Sequence, residues 1–409
     1  ERTLGVPIFQ EQVMQLAIVA AGFSPGEADQ LRRSMAAWRR RGGLEKFEVR
    51  LVDGMRARGY TEAFARQVCQ QIQGFGEYGF PESHSASFAL LVYISAWLKH
   101  HEPAAFCAAL INAQPMGFYA PAQLVLDARR HGVQVRAVDV LSSDWDCTLE
   151  EGPETTFQPP QFAGEKGDAE RSSPAPVLRL GLRLVSGLSR IGAERIAAAR
   201  AETPFASVAD LARRARLDKG DLDCLADAGA LKALAGHRHG AVWEVAGVER
   251  LPALLAESVF DESAPALTTP TEGQDIVADY RTLGLTLQRH PLALLRARLS
   301  RRRMITADEL AHAPHGRLVR VGGLVIGRQR PDTASGVIFV TLEDETGTIN
   351  VIVWRDLSDR QRRELLGSRL MGVHGTVERE GSVVHVVAGH LADLSPLLGE
   401  LRSRSRDFH

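Results

Sequence analysis

Residues 317–354 read RLVRVGGLVIGRQRPDTASGVIFVTLEDETGTINVIVW, and they decide the fold of the C-terminal part of the chain. Three runs rich in β-branched residues alternate apolar and polar positions, and glycine-containing turns separate them. A helical segment near residues 356–366 follows, and then come two more such runs, RLMGVHGTVER and SVVHVVAG. The pattern predicts five strands with a helix between the third and the fourth.

That order of elements is typical of an OB-fold, a five-stranded barrel. We therefore predict an all-β OB-fold domain over residues 301–395, followed by a basic C-terminal tail over 396–409. Phe339 and Trp354 could offer a surface on which bases stack, although core packing is favoured for Phe339 because it lies on an alternating strand. With so few aromatic residues, the sequence leaves open whether the barrel contacts single-stranded DNA or another protein.

An arginine-rich segment leads into the barrel. Between Arg289 and Arg330 the chain carries ten arginines against two acidic residues, Asp308 and Glu309. Charge runs are usually solvated surfaces, but this density next to a barrel favours neutralisation of phosphates and an affinity that falls with salt. The predicted DNA contacts in and beyond this segment are Arg301, Arg302, Arg303, Arg328, Arg330 and Trp354.

Residues 184–200, LVSGLSRIGAERIAAAR, form a candidate helix-hairpin-helix motif. A tight glycine turn lets backbone N–H groups and a helix N-terminus approach a phosphate without reading sequence. An ordinary pair of helices explains this segment alone equally well, but a second unit at 208–234 favours DNA. We predict a tandem module over 177–235, a helical connector over 236–300, and DNA contacts at Ser186, Gly187, Leu188, Ser189, Arg190 and Gly192.

Residues 1–150 read as helices with short connectors. One helix runs from about Pro25 to Arg40, and its polar face carries Arg32, Arg33, Arg39 and Arg40, which could hold a triphosphate or a template backbone or could simply be solvated. A second helix, from about Ser83 to His101, begins with Ser83, His84 and Ser85 and continues as an apolar run suited to a core. Those three residues can cap the helix or bind an anion.

The whole chain has 409 residues and a formal net charge of −1, so global charge does not steer it toward nucleic acid. Its length predicts two to four domains. The four cysteines lack metal-ligand spacing, no apolar run is long enough to span a bilayer, and a cytoplasmic location is expected. Residues 151–176, rich in Pro, Gly, Glu and Ser, predict a flexible linker or a hairpin tip. The chain begins without Met, which suggests a fragment of a longer protein.

Three stretches together resemble the bacterial family C DNA polymerases, the DNA polymerase III α subunit family. They are LGVPIFQEQVMQLAIVAAGFSPGEADQLRRSMAAW, FGEYGFPESHSASFALLVYISAWLKHHEPAAFCAALINAQPMGFY and the closing SRSRDFH. The similarity is greatest to the error-prone, damage-inducible branch called ImuC. It implies a C-terminal portion that starts within the fingers domain, here residues 1–150, and a role in translesion synthesis and induced mutagenesis.

The resemblance implies that Arg32, Arg33, Ser83, His84 and Ser85 face the incoming nucleotide, with His84 nearest its sugar and phosphates. It places the catalytic aspartates, which hold two Mg²⁺ ions in such enzymes, outside this chain. We therefore expect no catalytic or metal-binding residue here and no polymerisation by the chain alone.

The expected partners are primer–template DNA and dNTP, together with an ImuB-type protein. The Gln-containing peptide at 274–280, between the hairpin module and the barrel, is a poor match to a clamp-binding sequence, so contact with the sliding clamp is expected to be indirect. The rival interpretation is a non-enzymatic module for nucleic-acid binding or protein assembly.

Overall fold

The computed structural model describes residues 7–41, 45–75, 81–116, 119–152, 176–248, 265–331, 336–381, 383–401 and 405–408, without the side chains of 35–41, 45–46, 73–75 and 406–408. The helices are α1 (Gln10–Ala21), α2 (Pro25–Arg41), α3 (Glu45–Ala57), α4 (Glu62–Phe75), α5 (Glu82–His101), α6 (Pro103–Asn112), α7 (Pro121–Arg130), α8 (Arg190–Glu202), α9 (Val208–Arg214), α10 (Lys219–Asp227), α11 (Lys232–Ala235), α12 (Arg238–Ala246), α13 (Glu272–Thr282), α14 (Pro291–Arg301), α15 (Ala307–Ala311), α16 (Arg355–Arg360) and α17 (Arg362–Gly367). The strands are β1 (Val135–Arg136), β2 (Thr148–Glu150), β3 (Val177–Arg179), β4 (Leu318–Gln329), β5 (Ile338–Glu343), β6 (Thr348–Val353), β7 (Leu370–Glu380), β8 (Val383–Asp393) and β9 (Arg406–Phe408).

The chain divides into two compact units, residues 1–100 and 101–409. In the first unit, α1 to α4 enclose a small core that includes Val13, Leu31 and Leu51. α1 and α3 approach closely at Gly54, where an added Cβ would overlap the backbone of Ala21. This helical core agrees with the periodicity of the sequence.

The helix α5 differs from its prediction. Its apolar run was expected to pack in a core, yet none of its residues is buried. The exposed large side chains are Phe88, Leu90, Leu91, Val92, Tyr93, Ile94, Trp97 and Leu98. The apolar composition of α5 predicts that other parts of the protein cover its surface. The described residues instead leave that surface open to solvent.

In the second unit, one hydrophobic core extends from Ala104 to Leu285 and contains both hairpin units. β3 pairs parallel with β1 and antiparallel with β2. The predicted boundaries at residues 150 and 177 therefore fall within a single packed body. β2 and β3 form a hairpin around the predicted linker, of which residues 153–175 lie outside the described residues.

The barrel agrees with the five predicted strands. β4 pairs with β5 and with β7, β5 with β6, β6 with β8, and β8 with β7, so the five strands close. α16 and α17 lie between the third and fourth barrel strands in sequence. Alternate side chains point inward, as the sequence pattern requires: Val340 and Leu342 on β5 are buried, as are Val351 and Val353 on β6.

Two segments predicted to flank the barrel are part of it. Residues of the connector and of the C-terminal end form a second core with barrel residues; its buried members are Ile276, Leu292, Leu299, Met304, Leu324, Leu370, Leu394, Leu398 and Leu401. β9, within the predicted basic tail, pairs parallel with β4 from Gly327 to Gln329. The tail thus adds a strand to the sheet.

Candidate nucleic-acid interface

The first hairpin turn positions the start of α8. Gly187 adopts a left-handed conformation with φ 86°, which L side chains rarely tolerate. Leu188 is buried beneath the turn, and Ser189 caps α8 by accepting a hydrogen bond of 2.9 Å from the Gly192 N–H. The turn therefore exposes Arg190 at the first position of α8.

The second hairpin repeats this arrangement. Arg216 has a positive φ of 49°, Leu217 is buried, Asp218 caps α10, and Lys219 is exposed at the first helical position. The order of a left-handed residue, a buried leucine, a capping residue and a basic residue is the same in both turns. This repetition supports the prediction of two related hairpins.

A carboxylate joins the two turns. Asp221, in the first turn of α10, accepts hydrogen bonds of 2.9 Å from both the backbone N–H and the hydroxyl of Ser189. An added Cβ at Gly192 would overlap this carboxylate. Gly192 was expected to leave room for a DNA phosphate, but in the structure that room is occupied by Asp221. The Ser189 and Gly192 amides are likewise engaged within the protein.

Arg190 remains the best-placed DNA contact of the first hairpin. Its side chain is 69% exposed and forms an i,i+4 ion pair with Glu194 at 2.9 Å. An ion pair this exposed contributes little energy and can exchange for a phosphate. Ser186 and Leu188 use their amides within the fold, donating to Thr282 and Val185.

The arginines of the arginine-rich segment have different roles. Arg289 pairs with Glu272, and Arg296 pairs with Glu345 and Asp344, so both hold the connector in place. The side chains of Arg301, Arg302 and Arg303 are exposed at and beyond the end of α14, in agreement with a cationic surface. Arg303 has a positive φ of 58°, which turns the chain toward the barrel.

Arg328 contradicts the expectation of an exposed cation. It is 6% exposed and donates to the carbonyls of Leu365 and Ser368 at 2.7 and 2.6 Å and to the Ser405 hydroxyl at 2.8 Å. Outward-facing positions of a strand are exposed only where nothing covers them. At Arg328, α17 and the C-terminal segment cover the strand. Arg328 joins the barrel to its tail.

Three other predicted barrel residues lie on the surface. Arg330 is exposed just after β4, and Trp354 is 57% exposed at the N-cap of α16. Phe339 was expected to pack in the core, but it alternates with the inward-facing Val340 and is 36% exposed. The alternation of β5 therefore places Phe339 on the outer face, which corrects the sequence interpretation.

In the first unit, one carboxylate holds both candidate triphosphate ligands. Asp29 pairs with Arg32 and with Arg33, each at 2.8 Å. The hydrogen bond from Arg32 is the main cause that lowers the pKa of Asp29. Arg33 is the more exposed of the two arginines. Arg39 and Arg40 lie in α2, but their side chains are outside the described ones.

Ser83, His84 and Ser85 occupy the first turn of α5, which begins one residue earlier than predicted. Ser83 and His84 are exposed, and the His84 ring lies 4.3 Å from the Phe88 ring, centroid to centroid. The Ser83 carbonyl accepts from the Ser87 hydroxyl. The hydroxyl of Ser83 and the imidazole of His84 therefore stand at a helix N-terminus, where anions are favoured.

Sequence reasoning missed Asp221 and Asp29. Asp29 precedes Arg32 and Arg33 by three and four residues, which is the spacing of helical ion pairs, so the sequence carried a usable signal. Asp221 gave none, because its partner Ser189 is 32 residues away. Among the described residues, no group of three His, Cys, Asp or Glu could hold a metal ion. The donor set described here therefore does not fit a magnesium centre.

Comparisons with known proteins cover the whole chain. Residues 1–59 match the bacterial DNA polymerase III alpha subunit finger domain, 132–241 a helix-hairpin-helix motif, and 319–394 an OB-fold nucleic acid binding domain. The error-prone DNA polymerases of Alkalilimnicola ehrlichii and Azoarcus sp. are each 60% identical to this chain, over 408 and 409 residues. The chain belongs to the bacterial DNA polymerase III α family.

Its match is to a C-terminal portion of these error-prone members. The alignments cover 100% of this chain but 38% and 37% of the two relatives, so the chain spans under two fifths of their length. The error-prone DNA polymerase of Pseudomonas fluorescens is 59% identical, with 39% of its length covered.

A solved asparaginyl-tRNA synthetase from Pyrococcus horikoshii is 20% identical over 22% of this chain and 23% of its own, with a TM-score of 0.20. Within the described residues, no helix is both long and apolar enough to cross a membrane.

Proposed function

We propose that this chain is the DNA-gripping and nucleotide-facing portion of an error-prone DNA polymerase that acts in translesion synthesis and damage-induced mutagenesis. The observation that carries the proposal is the 57–60% identity to curated error-prone DNA polymerases over the full length of the chain. The succession of finger, helix-hairpin-helix and OB-fold matches supports the same conclusion.

In this proposal the two hairpins hold DNA through Arg190 and Lys219. Both residues stand at the first position of a helix, and both are exposed. A basic side chain at a helix N-terminus places its cation beside unpaired amide donors, and both favour a phosphate. Asp221 fills the space beside Gly192 in the first turn of α8. The contact with the phosphate is therefore made by the side chains and by those amides that Asp221 leaves accessible.

The fingers contribute nucleotide contacts in the same proposal. Arg33 is the exposed arginine of the Asp29 group, and Ser83 and His84 are exposed at the start of α5. We expect His84 to position the nucleotide and not to transfer a proton. The magnesium ions required for nucleotidyl transfer would be held by residues outside this chain, so we expect no primer extension by the chain alone.

The clamp is proposed to be reached through an ImuB-type partner. Residues 274–280, which match a clamp-binding sequence poorly, belong to α13. Ile276 is 2% exposed, and the Gln274 side chain accepts from the Thr271 N–H at the helix start. These features support an indirect route.

The first test is fluorescence anisotropy of a primer–template with a single-stranded overhang, titrated with the chain at several salt concentrations. We expect a steep salt dependence that Arg190→Glu reduces. Arg213→Glu is the matched control, because Arg213 is an arginine of the same module that also forms an ion pair within its own helix, with Asp210 on α9. Weak binding that Arg190→Glu leaves unchanged would assign the hairpins to protein assembly.

A second test addresses the fingers. Binding of a labelled dNTP should weaken in His84→Ala and Arg33→Ala. It should not weaken in Arg66→Ala, because Arg66 is an exposed arginine on α4 that is paired with Glu62. Equal binding by all four proteins would favour the non-enzymatic module. Primer extension by the chain alone would contradict the proposed absence of catalytic residues.

A further inference from the structure

The outer face of the barrel carries a row of three basic or potentially basic residues. Arg320 on β4 is paired in register with His374 on β7, and His374 is paired with His390 on β8. The rings of His374 and His390 lie 5.5 Å apart, centroid to centroid. Arg320 and His390 are exposed, and His374 is half-buried between them. We call these three residues the histidine row.

Among the described residues of the three strands, the positions next to the histidine row offer it no acidic partner. The next row on the same face consists of Leu318, Thr376 and Val387, none of which is charged. Glu378 is the nearest acidic residue on this face of β7, and it lies two rows away, opposite His385. Burial, followed by the charges of Arg320 and His390, lowers the pKa of His374. Such a row gains stability when an anion binds beside it.

Arg301, Arg302 and Arg303 border the same face. On the other side of the histidine row lie Gly322 and Gly372, and a Cβ added to either would meet the side chain of Met304. The following residue, Ile305, donates its N–H to the Arg320 carbonyl at 2.8 Å. Arg303 precedes Ile305 by two residues, so its Cα lies within roughly 12 Å of that of Arg320.

We propose that the histidine row, extended by Arg301–Arg303, binds the phosphate backbone of single-stranded nucleic acid. This inference rests on the proposed DNA-binding function and specifies where the barrel would bind. The argument is charge complementarity: the face offers one fixed cation at Arg320, two imidazoles that can donate to phosphate oxygens, and a neighbouring group of three exposed arginines. The exposed aromatic residues lie elsewhere on the barrel: Phe339 is on β5 and Trp354 is at the N-cap of α16.

The test uses the full 409-residue chain and a fluorescein-labelled oligo-dT. Arg320→Gln and the double variant His374→Gln/His390→Gln should weaken binding, and each lost phosphate contact should lower the slope of log affinity against log salt by about 0.7. The matched controls are Arg363→Gln, at an exposed arginine on α17, and His312→Gln, at the exposed C-cap histidine of α15; both should bind like wild type. Circular dichroism confirms that each variant is folded.

A second readout follows His374 directly. In the NMR titration of its imidazole, oligo-dT should raise the pKa of His374, because a phosphate offsets the repulsion from Arg320 and His390. A protein that only loses packing in the glutamine variants would show no such rise in the wild type.

The outcomes separate this inference from the proposed function. Binding by the wild type that is unchanged in the row variants, with an unchanged His374 pKa, overturns the histidine row and leaves the proposed function intact. Failure of the wild type to bind any DNA overturns both. Stronger binding of polyglutamate than of oligo-dT overturns nucleic acid as the ligand in favour of an acidic protein partner.

Discussion

The hydroxyl of Ser189 lies 2.9 Å from the carboxylate of Asp221, and this contact joins the N-terminus of α8 to that of α10. Because Asp221 is buried and also accepts from the Ser189 N–H, its removal would leave two donors without their partner. We predict that Asp221→Ala lowers the free energy of unfolding by about 2–3 kcal/mol. Asp223→Ala, an exposed neighbour on α10, should change it by less than about 0.5 kcal/mol. Equal effects in chemical denaturation would contradict the bridging role of Asp221.

Gly187 should not tolerate a side chain. Its φ of 86° is unfavourable for alanine, and the added Cβ would lie 3.0 Å from the Cys224 sulfur. We predict that Gly187→Ala costs about 1–2 kcal/mol of stability. Gly273→Ala, in α13 and with the nearest atom of another residue at 3.9 Å, should be neutral or stabilising because alanine is the better helix former. Thermal unfolding of both variants makes the comparison.

Substitutions of Arg328 and Arg330 should have different effects on stability. Arg328→Ala leaves the carbonyls of Leu365 and Ser368 without their donor, so we predict a stability loss of about 3 kcal/mol or more. Arg330→Ala should leave stability within about 0.5 kcal/mol of wild type. If Arg330 contacts DNA, as predicted from the sequence, this variant should weaken DNA binding and reduce the salt slope by about 0.7 for a single strand. An unaffected melting temperature in Arg328→Ala would refute the structural role.

Polar substitutions on α5 should be harmless to folding. Leu91 and Tyr93 are 55% and 71% exposed, so the double variant Leu91→Gln/Tyr93→Gln should change stability by no more than about 1 kcal/mol. It should also reduce binding of the dye ANS, because the exposed apolar surface becomes smaller. Leu51→Gln, at a buried position of α3, should cost about 3 kcal/mol or more. A similar loss in the α5 variant would show that α5 is packed in a core.

The Cys69 thiol predicts a pH dependence in the first unit. Burial raises the pKa of Cys69 to about 11, from the ordinary value of 9.0. The unfolded chain therefore ionises first, and the stability contributed by the neutral thiol is complete below pH 9 and is lost as pH rises through about 11. Denaturation at pH 8, 9.5 and 10.5 should show this decline in wild type and a shallower one in Cys69→Ala. Val68→Ala should lower stability at every pH without changing the slope.

The barrel was predictable because alternation and glycine turns directly report on strands. Leu342 and Val351 face inward, as the period of two requires, and the helical segment between β6 and β7 interrupts that period where expected. The two hairpins were also visible, since their turn residues recur. Local patterns of this kind need no knowledge of distant contacts.

Long-range pairing was not predictable. The buried position of Arg328 depends on Ser405, which lies 77 residues further along the chain. Asp221 reaches Ser189 over 32 residues. The sequence shows an arginine or an aspartate in each case, and only the fold decides whether that charge faces solvent or bonds to the protein. For Arg328 a charged residue was expected to be exposed and is buried. For α5 the error is the opposite one: its apolar composition was taken as evidence of burial, and its face is open.

The parallel pairing of β9 with β4 also has a consequence for biosynthesis. Residues 406–408 complete an edge that begins at Gly327, so a ribosome must translate all five barrel strands before this edge of β4 gains its neighbour. Until then the nascent chain presents unpaired backbone groups along that edge, which is a site for association with other chains. Fusion partners or truncations at the C-terminal end would prolong the time for which this edge is unpaired, so we expect them to lower expression yield.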